Sequence, residues 1–260
     1  MGNSPEDQVA LRPGRFVPRL VPAKISPAPT FSLSAEASYW ITGGLGGVGI
    51  QTARWLIARG AKHVILSGRS APSEATEACL ARLRSAGVTV RYEQIDVTDL
   101  AAVTALLDES TKASHPVRGI IHAAGVLHNQ PITEVTADTI DAVLRPKVQG
   151  GLVLHEATMR RALDFLVFYS SIASVWGSKW QLHYSAANRF LDALAVHRRA
   201  TALPALAINW GPWSGGGMAG KDEQQLLARM GITAGDSAVQ LDLLGDLLAD
   251  DRAQCLIADV

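Results

Sequence analysis

The chain has 260 residues, of which 48% are hydrophobic, so it is long and apolar enough to bury a sizeable core. Lys and Arg together number 24, as do Asp and Glu, and this balance gives no indication of nucleic acid or an anionic membrane as the main partner. The two cysteines provide neither a disulfide framework nor metal-ligand spacing, and no apolar run approaches the roughly 20 residues of a membrane span, so we expect a cytoplasmic protein without a metal site.

The first 37 residues differ in pattern from the rest of the chain. Residues 8–12 and 15–20 are short β-prone runs separated by Pro13-Gly14, which predicts a small hairpin or two edge strands. Three prolines between residues 21 and 37 then indicate a linker. We therefore divide the chain into an N-terminal hairpin and linker, residues 1–37, and a main domain, residues 38–260.

A glycine-rich turn follows the first strand of the main domain. Residues 38–42 are apolar and β-prone, and a helical pattern over residues 50–59 follows the turn. In this strand–turn–helix context, glycines let the backbone approach a pyrophosphate, and the helix N-terminus offers free N–H groups and a partial positive charge. The predicted dinucleotide-binding residues are Thr42, Gly43, Gly44, Leu45, Gly46, Gly47, Val48 and Gly49.

The end of the next strand, residues 62–67, indicates which dinucleotide is bound. An acidic residue there would bind the ribose hydroxyls of NAD and repel a 2′-phosphate. The chain instead has Ser67-Gly68-Arg69-Ser70, and the planar guanidinium of Arg69 suits a phosphate. A solvated surface arginine is the plain alternative, but the fold dictates this position, and we predict NADPH as the cofactor.

Strand and helix patterns alternate through the remainder of the chain. Strands are expected near residues 88–95, 117–122, 164–169, 204–209 and 253–258, and helices near 73–86, 99–109, 137–161 and 185–200. Such alternation implies right-handed βαβ units, so the expected fold class is α/β, a Rossmann-like doubly wound parallel sheet with helices on both faces.

Two segments near the C-terminus have their own interpretation. Residues 210–218 contain four glycines after a strand and must be irregular, so we expect a substrate lid near residues 211–229. Gly235-Asp236-Ser237 precedes a further helix, and we interpret it as the N-cap.

Four polar residues of the main domain have the chemistry of a proton-donating site. Ser171 precedes Tyr184 by thirteen residues, Asn188 follows it by four, and Lys147 lies 37 residues upstream. Reduction of a ketone by a nicotinamide needs a proton donor for the developing alkoxide. The pKa of tyrosine is roughly 10, and a nearby ammonium lowers it by favouring the phenolate. A serine hydroxyl is a natural second hydrogen bond to the carbonyl oxygen.

This chemistry makes Tyr184 the acid, Lys147 the group that tunes it and Ser171 the group that polarises the ketone. The alternative is that Tyr184 and Asn188 are merely one turn apart on a helix and that Lys147 is a solvated charge. The presence of Ser171, Lys147 and the glycine turn in the same chain favours the catalytic interpretation.

The set resembles the active site of short-chain dehydrogenase/reductases. Their usual order is an Asn upstream and Tyr-x-x-x-Lys downstream, whereas here Lys147 is upstream and Tyr184-x-x-x-Asn188 is downstream. That exchange resembles the ketoreductase domains of modular polyketide synthases and animal-type fatty acid synthases. The resemblance implies NADPH-dependent reduction of the β-keto group of an acyl chain on an acyl carrier protein, with neighbouring synthase domains as further partners.

The resemblance covers nearly the whole chain and implies further roles. Lys147 would hold the nicotinamide ribose, and Asn188 would hold a helix carbonyl and a water for proton resupply. His122 is expected to be a packed residue. Residues 144–148 and 209–213 also match the family. The implied contacts of the adenine ring and of the cofactor's underside are Asp96, Val97, Ala123, Ala124 and Gly125.

The chain also departs from the family pattern. Residues 6–20 resemble the segment that joins a non-catalytic structural subdomain to the catalytic one, but that subdomain itself does not precede residue 38, and the chain stops at Val260, where the family usually continues. We expect an excised domain. Two alternatives to a carrier-dependent ketoreductase stay open: a free-standing reductase of a small ketone, and a silent domain that binds NADPH without reducing anything.

Pocket residues predict the configuration of the product by the same resemblance. One class of the family has Leu-Asp-Asp after the fourth strand and yields the D-alcohol; here that position is Leu127-His128-Asn129. The L class has a Trp eight residues before the Tyr, as Trp176 is here, and Gln181 resembles the subtype that leaves an α-substituent unepimerised. The alternative is that Trp176 is a core aromatic and Gln181 a polar residue on a helix face. The predicted substrate contacts are Leu127, Trp176, Gln181, Trp213 and Met218.

Overall fold

A short antiparallel hairpin precedes the main domain. In the computed structural model, which describes residues 10–24, 32–84, 87–218 and 220–260, strand β1 (Ala10–Arg12) pairs with β2 (Gly14–Phe16) at the place of the predicted hairpin. Residues 1–9, which include the start of the predicted joining segment, and residues 25–31 of the predicted linker lie outside the described residues, as do residues 85 and 86 of the helix expected over 73–86 and residue 219 of the predicted lid.

Seven parallel strands form the central sheet, in the order β5-β4-β3-β6-β7-β8-β9. They are β3 (Ser38–Thr42), β4 (His63–Gly68), β5 (Thr89–Gln94), β6 (Val117–His122), β7 (Phe165–Ser171), β8 (Leu206–Trp210) and β9 (Gln254–Ile257). β3 and β8 are buried along their whole length, as expected for a parallel sheet covered on both faces. The predicted fold class is confirmed.

Helices connect these strands and cover the sheet. They are α1 (Gly47–Ala58), α2 (Glu74–Arg84), α3 (Leu100–Lys112), α4 (Ala137–Leu144), α5 (Gly150–Thr158), α6 (Ala173–Trp176), α7 (Leu182–Ala200), α8 (Lys221–Arg229) and α9 (Ser237–Leu248). Within the described part of the chain, no helix combines the length and the apolarity that a membrane span needs.

The sheet has an apolar core on each face, because successive side chains of a strand point to opposite sides. On one face, Ile41 of β3 clusters with Leu56 of α1 and Leu244 of α9. On the other face, Trp40 of β3 clusters with Leu191 of α7. Burial of each such side chain contributes about 1.5–3 kcal/mol, so apolar packing holds both helix layers to the sheet.

The strand order reverses beside β3. The chain proceeds from β3 to β4 and β5 on one side and then crosses to β6 on the other. Thr42, at the carboxyl end of β3, pairs with His122 at the carboxyl end of β6. The connections that follow these two ends run in opposite directions, which leaves a crevice between them. In open α/β sheets, ligands bind in a crevice of this kind.

Helix bounds differ from the sequence-based expectation around Lys147. The helix expected over residues 137–161 is divided: α4 ends at Leu144, a π-helical turn (Arg145–Gln149) follows, and α5 ends at Thr158. Pro146 has no N–H to donate to the helical ladder, and the N–H of Gly150 instead bonds the carbonyl oxygen of Arg145, five residues back. The expectation of one continuous helix is therefore wrong.

Two other differences and one confirmed interpretation concern shorter segments. α7 begins at Leu182, three residues earlier than expected, so Tyr184 lies inside it. α8 occupies the second half of the expected lid. The interpretation of residues 235–237 as an N-cap is confirmed, because the carboxylate of Asp236 accepts hydrogen bonds from the N–H groups of Ala238 and Val239.

Candidate active site

The glycine turn between β3 and α1 leaves no room for side chains. Gly43 has a φ of +66°, and a Cβ there would lie 2.8 Å from the Cα of Ala124. A Cβ on Gly49 would lie 2.6 Å from the carbonyl oxygen of Gly43. No side chain of the described residues caps the first turn of α1, whose N-cap is Gly46. Close-packed backbone and free N–H groups at a helix N-terminus fit a pyrophosphate.

A cavity of about 340 Å³ lies in front of this turn, at the reversal of strand order. Gly44 is the one predicted glycine-turn residue that does not line it: a Cβ on Gly44 would lie 2.7 Å from the Cβ of Leu66, inside the fold. The predicted cofactor residues that line the cavity are Thr42, Gly43, Leu45, Gly46, Gly47, Val48, Gly49, Ser67, Gly68, Arg69, Ser70, Asp96, Val97, Ala123, Ala124 and Gly125.

Charge in this cavity comes from Arg69, Arg145 and Asp96. Nη2 of Arg145 lies 3.8 Å from Oδ2 of Asp96. Burial alone would raise the pKa of Asp96, but hydrogen bonds from Thr98 and the charges of Arg145 and Arg69 bring the pKa below its ordinary value. Asp96 is therefore ionised at neutral pH, and two cations against one anion leave the cavity positively charged, which suits an anionic ligand.

Lys147 and Tyr184 come together from different helical segments. Lys147 lies in the π-helical turn with a 2% exposed side chain, and its Nζ donates a hydrogen bond to the carbonyl oxygen of Tyr169 at 2.8 Å. The same nitrogen lies 5.8 Å from the ring centroid of Tyr184 in the first turn of α7. Burial lowers the pKa of Lys147 to about 8, although the charge of Asp192 raises it. Lys147 is thus charged at neutral pH and titrates just above it.

Ser171 is the last residue of β7, at the same edge of the sheet as the glycine turn. Its Oγ accepts a hydrogen bond from the N–H of Ala173 at 3.2 Å. That bond does not use the hydroxyl proton of Ser171. The side chain is therefore able to donate a hydrogen bond into the cavity that it lines together with Lys147 and Tyr184.

Asn188 lies one turn after Tyr184 and is fully buried. Its Nδ2 donates a hydrogen bond to the carbonyl oxygen of Tyr184 at 2.8 Å, which is the helix-carbonyl contact expected for it. Asn188 does not line the cavity that holds Lys147, Ser171 and Tyr184. It therefore supports the first turn of α7 from behind, and the predicted water contact stays a prediction.

The cavity that holds Lys147, Ser171 and Tyr184 is mostly apolar, has a volume of about 570 Å³ and adjoins the first cavity. Val48, Ala123 and Met218 line both cavities. The predicted substrate contacts all line the second one: Leu127, Trp176, Gln181, Trp213 and Met218. Trp176 is 42% exposed, so it is not a core aromatic. A larger groove of about 860 Å³, between α1, α2 and α9, holds none of the three catalytic candidates.

Two hydrogen bonds join the loop after β6 to the loop before α7. Nε2 of Gln181 donates to Oδ1 of Asn129 at 2.9 Å, and the N–H of Gln130 donates to the carbonyl oxygen of Trp180 at 2.8 Å. Trp180 has a φ of +64°, a conformation that costs an L-residue about 1–2 kcal/mol. Since Gln181 is also buried, it is not a polar residue on a solvated helix face. The two loops form one wall of the apolar cavity.

Sequence reasoning missed residues in both cavities. Arg145 lines the cavity in front of the glycine turn, which we call the cofactor cavity after its predicted ligand. It lies two residues before Lys147, inside a segment that was expected to be ordinary helix. Leu226, Leu227 and Met230, in and just after α8, line the apolar cavity. The spacing of Leu226 and Met230, one helical turn apart within the expected lid, was the available signal for these side chains.

Comparison with known proteins places the chain among synthase segments. Residues 37–215 match the family model described as KR domain. The chain is 38% identical over 261 residues to polyketide synthase GfsA of Streptomyces halstedii. It is 37% identical over 259 residues to a phenolphthiocerol/phthiocerol polyketide synthase of Mycobacterium tuberculosis. These alignments cover 98% and 99% of this chain but only 4% and 14% of the relatives, so the chain corresponds to a small part of each.

Solved structures show the same correspondence. An A1-type ketoreductase matches with a TM-score of 0.91 and 36% identity, over 98% of this chain and 54% of that one. The ketoreductase PlmKR1, from the first module of phoslactomycin biosynthesis in Streptomyces sp. HK803, matches with a TM-score of 0.90 and 35% identity. That alignment covers 99% of this chain and 60% of PlmKR1, so the chain spans little more than half of either structure.

Proposed function

The chain belongs to the KR (ketoreductase) domain family of polyketide synthases, and we propose that it uses NADPH to reduce the β-keto group of an intermediate bound to an acyl carrier protein. The observation that supports this most is the shared cavity of Lys147, Ser171 and Tyr184, which adjoins the cavity of the glycine turn. A ketone in the apolar cavity would have its oxygen among these three side chains.

The proposed reaction divides between cofactor and protein. Bound at the glycine turn, a nicotinamide cofactor supplies the hydride that is added to the ketone carbon. The Tyr184 hydroxyl gives its proton to the oxygen, which becomes the alcohol. Ser171 donates a hydrogen bond to the same oxygen and polarises the carbonyl. The Lys147 ammonium favours the phenolate of Tyr184, because an opposite charge close to an acid makes its proton easier to lose.

The preference for NADPH rests on the charge of the cofactor cavity. Arg69 is exposed at the end of β4, where it would pair with the 2′-phosphate, and Arg145 adds a second cation. The glycine turn would hold the pyrophosphate and Lys147 the ribose. Asp96 and its neighbour Val97 would contact the adenine ring.

The preference for an acyl substrate rests on the apolar cavity and its rim. Trp176, Met218 and Met230 are large, apolar and between 42% and 67% exposed, and all three line the cavity. Such a surface suits an extended acyl chain better than a small polar ketone. The relatives are polyketide synthases of which the chain spans 4% and 14%, so neighbouring synthase domains and a carrier protein are its proposed partners.

We assign the L-alcohol as the favoured product. The loop after β6 has Leu127-His128-Asn129 in place of Leu-Asp-Asp, and Trp176 and Gln181 line the cavity before Tyr184. Together these residues shape the side of the cavity from which a tethered substrate would enter.

A coupled assay of NADPH oxidation tests the proposal. A β-ketoacyl chain on a carrier protein should be turned over faster than the same acyl group as a free thioester and faster than small ketones. Preference for a small diffusible ketone would indicate a free-standing reductase instead. NADPH binding without turnover of any substrate would indicate a silent domain.

A further inference from the structure

A buried polar network lies behind the active site, and the proposed mechanism does not use it. Its centre is Asp192 on α7, whose side chain is 1% exposed. Oδ2 of Asp192 accepts a hydrogen bond from Oγ of Ser174 at 2.7 Å, and Oδ1 accepts one from Nδ2 of Asn209 at 2.9 Å. The cation that forms an ion pair with it among the described residues, Arg189, is 60% exposed, and its Nη1 lies 3.9 Å from Oδ2. Burying a carboxylate with such weak compensation is costly.

The network is built around the turn that carries Ser171. Oγ of Ser174 lies 2.8 Å from the carbonyl oxygen of Ser171, within reach of both this oxygen and Asp192. Nδ2 of Asn209, on β8, also donates to Oγ of Ser170 at 3.0 Å. Gln254 on β9 donates to Oδ1 of Asn209 at 2.9 Å, which fixes the amide with its NH₂ toward Asp192. One carboxylate therefore ties α7 to α6, the helix that follows Ser171, and to the end of β8.

Asp192 also supplies a negative charge to Lys147. Lys147 is buried and its hydrogen-bond partner, the carbonyl oxygen of Tyr169, is neutral. Helix α7, which carries Asp192, packs against the π-helical turn that carries Lys147, and the charge of Asp192 raises the pKa of Lys147 against the effect of burial. His122 on β6 faces Lys147 as well, but burial and the lysine charge lower the pKa of His122 to about 3, so it is neutral.

We propose that Asp192 is a positioning residue of the active site, which fixes the turn bearing Ser171 and keeps Lys147 in its ammonium form. The inference rests on the proposed ketoreductase function. Asp192 lines neither the cofactor cavity nor the apolar cavity, so it acts through the other two residues. It also gives a role to Asn209, the first residue of a segment that matched the family in sequence.

Direct titration of Lys147 tests the charge without any enzymatic assay. The ¹³Cε signal of Lys147 in the unliganded protein, assigned with Lys147→Arg, should titrate near pH 8. Asp192→Asn should move this midpoint to lower pH by on the order of one unit. Asp242→Asn is the matched control, since its carboxylate is 70% exposed, and should leave the midpoint in place. An unmoved midpoint in Asp192→Asn overturns the proposal.

Turnover supplies the second readout. In Asp192→Asn, the loss of kcat at alkaline pH should begin about one pH unit lower than in the wild type. At pH 8 the protonated fraction of Lys147 would fall from about one half to about one eleventh, so kcat should decrease about fivefold. Ser174→Ala keeps the charge of Asp192, so it should lower kcat without changing the pH at which the alkaline loss of kcat begins. A loss that is equal at every pH in Asp192→Asn overturns the charge-holding role.

Two arrangements keep the test decisive. If Asp192→Asn does not fold by circular dichroism, Asp192→Ser, which removes the charge and leaves space for water, takes its place with the same expected shift. If the unmodified chain does not oxidise NADPH with any of the substrates, the proposed function fails, while the ¹³C titration still decides whether Asp192 holds the charge of Lys147.

Discussion

The Nζ of Lys147 lies 5.8 Å from the ring centroid of Tyr184, although the two residues are 37 positions apart and on different helical segments. A lysine one turn after Tyr184 would reach it from the same helix, but that position is Asn188, whose amide holds the Tyr184 carbonyl. The π-helical turn presents the lysine instead, and π turns often occur at functional sites. The tyrosine's charge environment and its helical support thus come from separate residues.

Tyr184→Phe should keep NADPH affinity and lose turnover. The change removes the hydroxyl that would give the proton, and such donors contribute roughly 10²–10⁴-fold in rate. Fluorescence titration measures the affinity, and the carrier-bound assay measures kcat. Tyr39→Phe is the control, because Tyr39 lies near the amino end of β3 and bonds Ser34. Near-normal turnover of Tyr184→Phe would sink the assignment of the acid.

Lys147→Met should change how stability depends on pH. Burial lowers the pKa of Lys147 from its ordinary value of 10.5 to about 8. Between these pH values the unfolded chain holds a proton that the folded protein has lost, so the wild-type free energy of unfolding rises with pH. Below pH 8 both states are protonated, and the full cost of burying the ammonium remains. The difference in free energy of unfolding between the wild type and the variant should therefore shift in favour of the wild type by up to roughly 3 kcal/mol between pH 8 and pH 10.5, and this shift is the expected gain.

Urea unfolding at pH 7.5 and pH 10 measures that gain. Lys62→Met, at an exposed position, is the matched control, and its difference from wild type should be the same at both pH values. A constant difference for Lys147→Met as well would show that Lys147 is not buried as an ammonium. Lys147→Ala should also lose both turnover and cofactor affinity.

Gly43→Ala should cost more stability than Gly87→Ala and should also abolish NADPH binding. Both glycines have similar positive φ, +66° and +71°, so each alanine carries a backbone cost of about 1–2 kcal/mol. A Cβ on Gly87 meets no atom within 4 Å, whereas a Cβ on Gly43 lies 2.8 Å from the backbone of Ala124. The difference in unfolding free energy between the two variants therefore measures the cost of the contact between the new Cβ at position 43 and the backbone of Ala124. Equal losses, with binding kept in both, would contradict the glycine-turn assignment.

Arg69→Asp should weaken NADPH binding far more than NADH binding. The change removes a partner of the 2′-phosphate and adds a repelling charge. Fluorescence titration with both cofactors measures the difference. Arg54→Asp is the matched control, because Arg54 is exposed on α1 and does not line the cofactor cavity. Parallel losses for NADPH and NADH in Arg69→Asp would mean that Arg69 does not bind the phosphate.

The parts of the site that sequence predicted are those that short segments determine. Gly43 and Gly49 must lack side chains because backbone atoms of Ala124 and Gly43 lie against them, and glycines at a strand–turn–helix junction are visible in the sequence. The seven-stranded parallel sheet follows from alternating strand and helix patterns in the same way. Tyr184 and Ser171 were predicted from their proton-donor chemistry and from a spacing with Asn188 that resembles the short-chain reductase pattern.

The parts that sequence did not predict depend on contacts between distant segments. Asp192 is one of many charged residues in the sequence, and only the packing of α7 on β7 and β8 buries it beside Ser174 and Asn209. Arg145 reaches the cofactor cavity because a π turn replaces the expected regular helix. The start of α7 is set by Trp180, whose left-handed backbone is held by Gln130, and hydrophobic periodicity does not reveal such a bond.

The product of a carrier-bound β-ketoacyl substrate should be mainly the L-alcohol. Hydride leaves a fixed cofactor face, so the configuration depends on the side from which the tethered chain enters. Gln181 and Asn129, joined at 2.9 Å, and Trp176 line the apolar cavity in which the proposed acyl chain would bind. Asn129→Ala breaks the bond and leaves Tyr184 in place, so it should lower the L fraction and keep most of the turnover.

Chiral chromatography of the released product measures this fraction. Trp176→Ala should also lower it, whereas Trp55→Phe, on α1 and outside the apolar cavity, should leave it unchanged. A free thioester mimic should give a less selective product, because it is not tethered to one side. A predominant D-alcohol from the unmodified chain would refute the stereochemical role of Gln181 and Trp176 and leave Tyr184, Lys147 and Ser171 as the catalytic set.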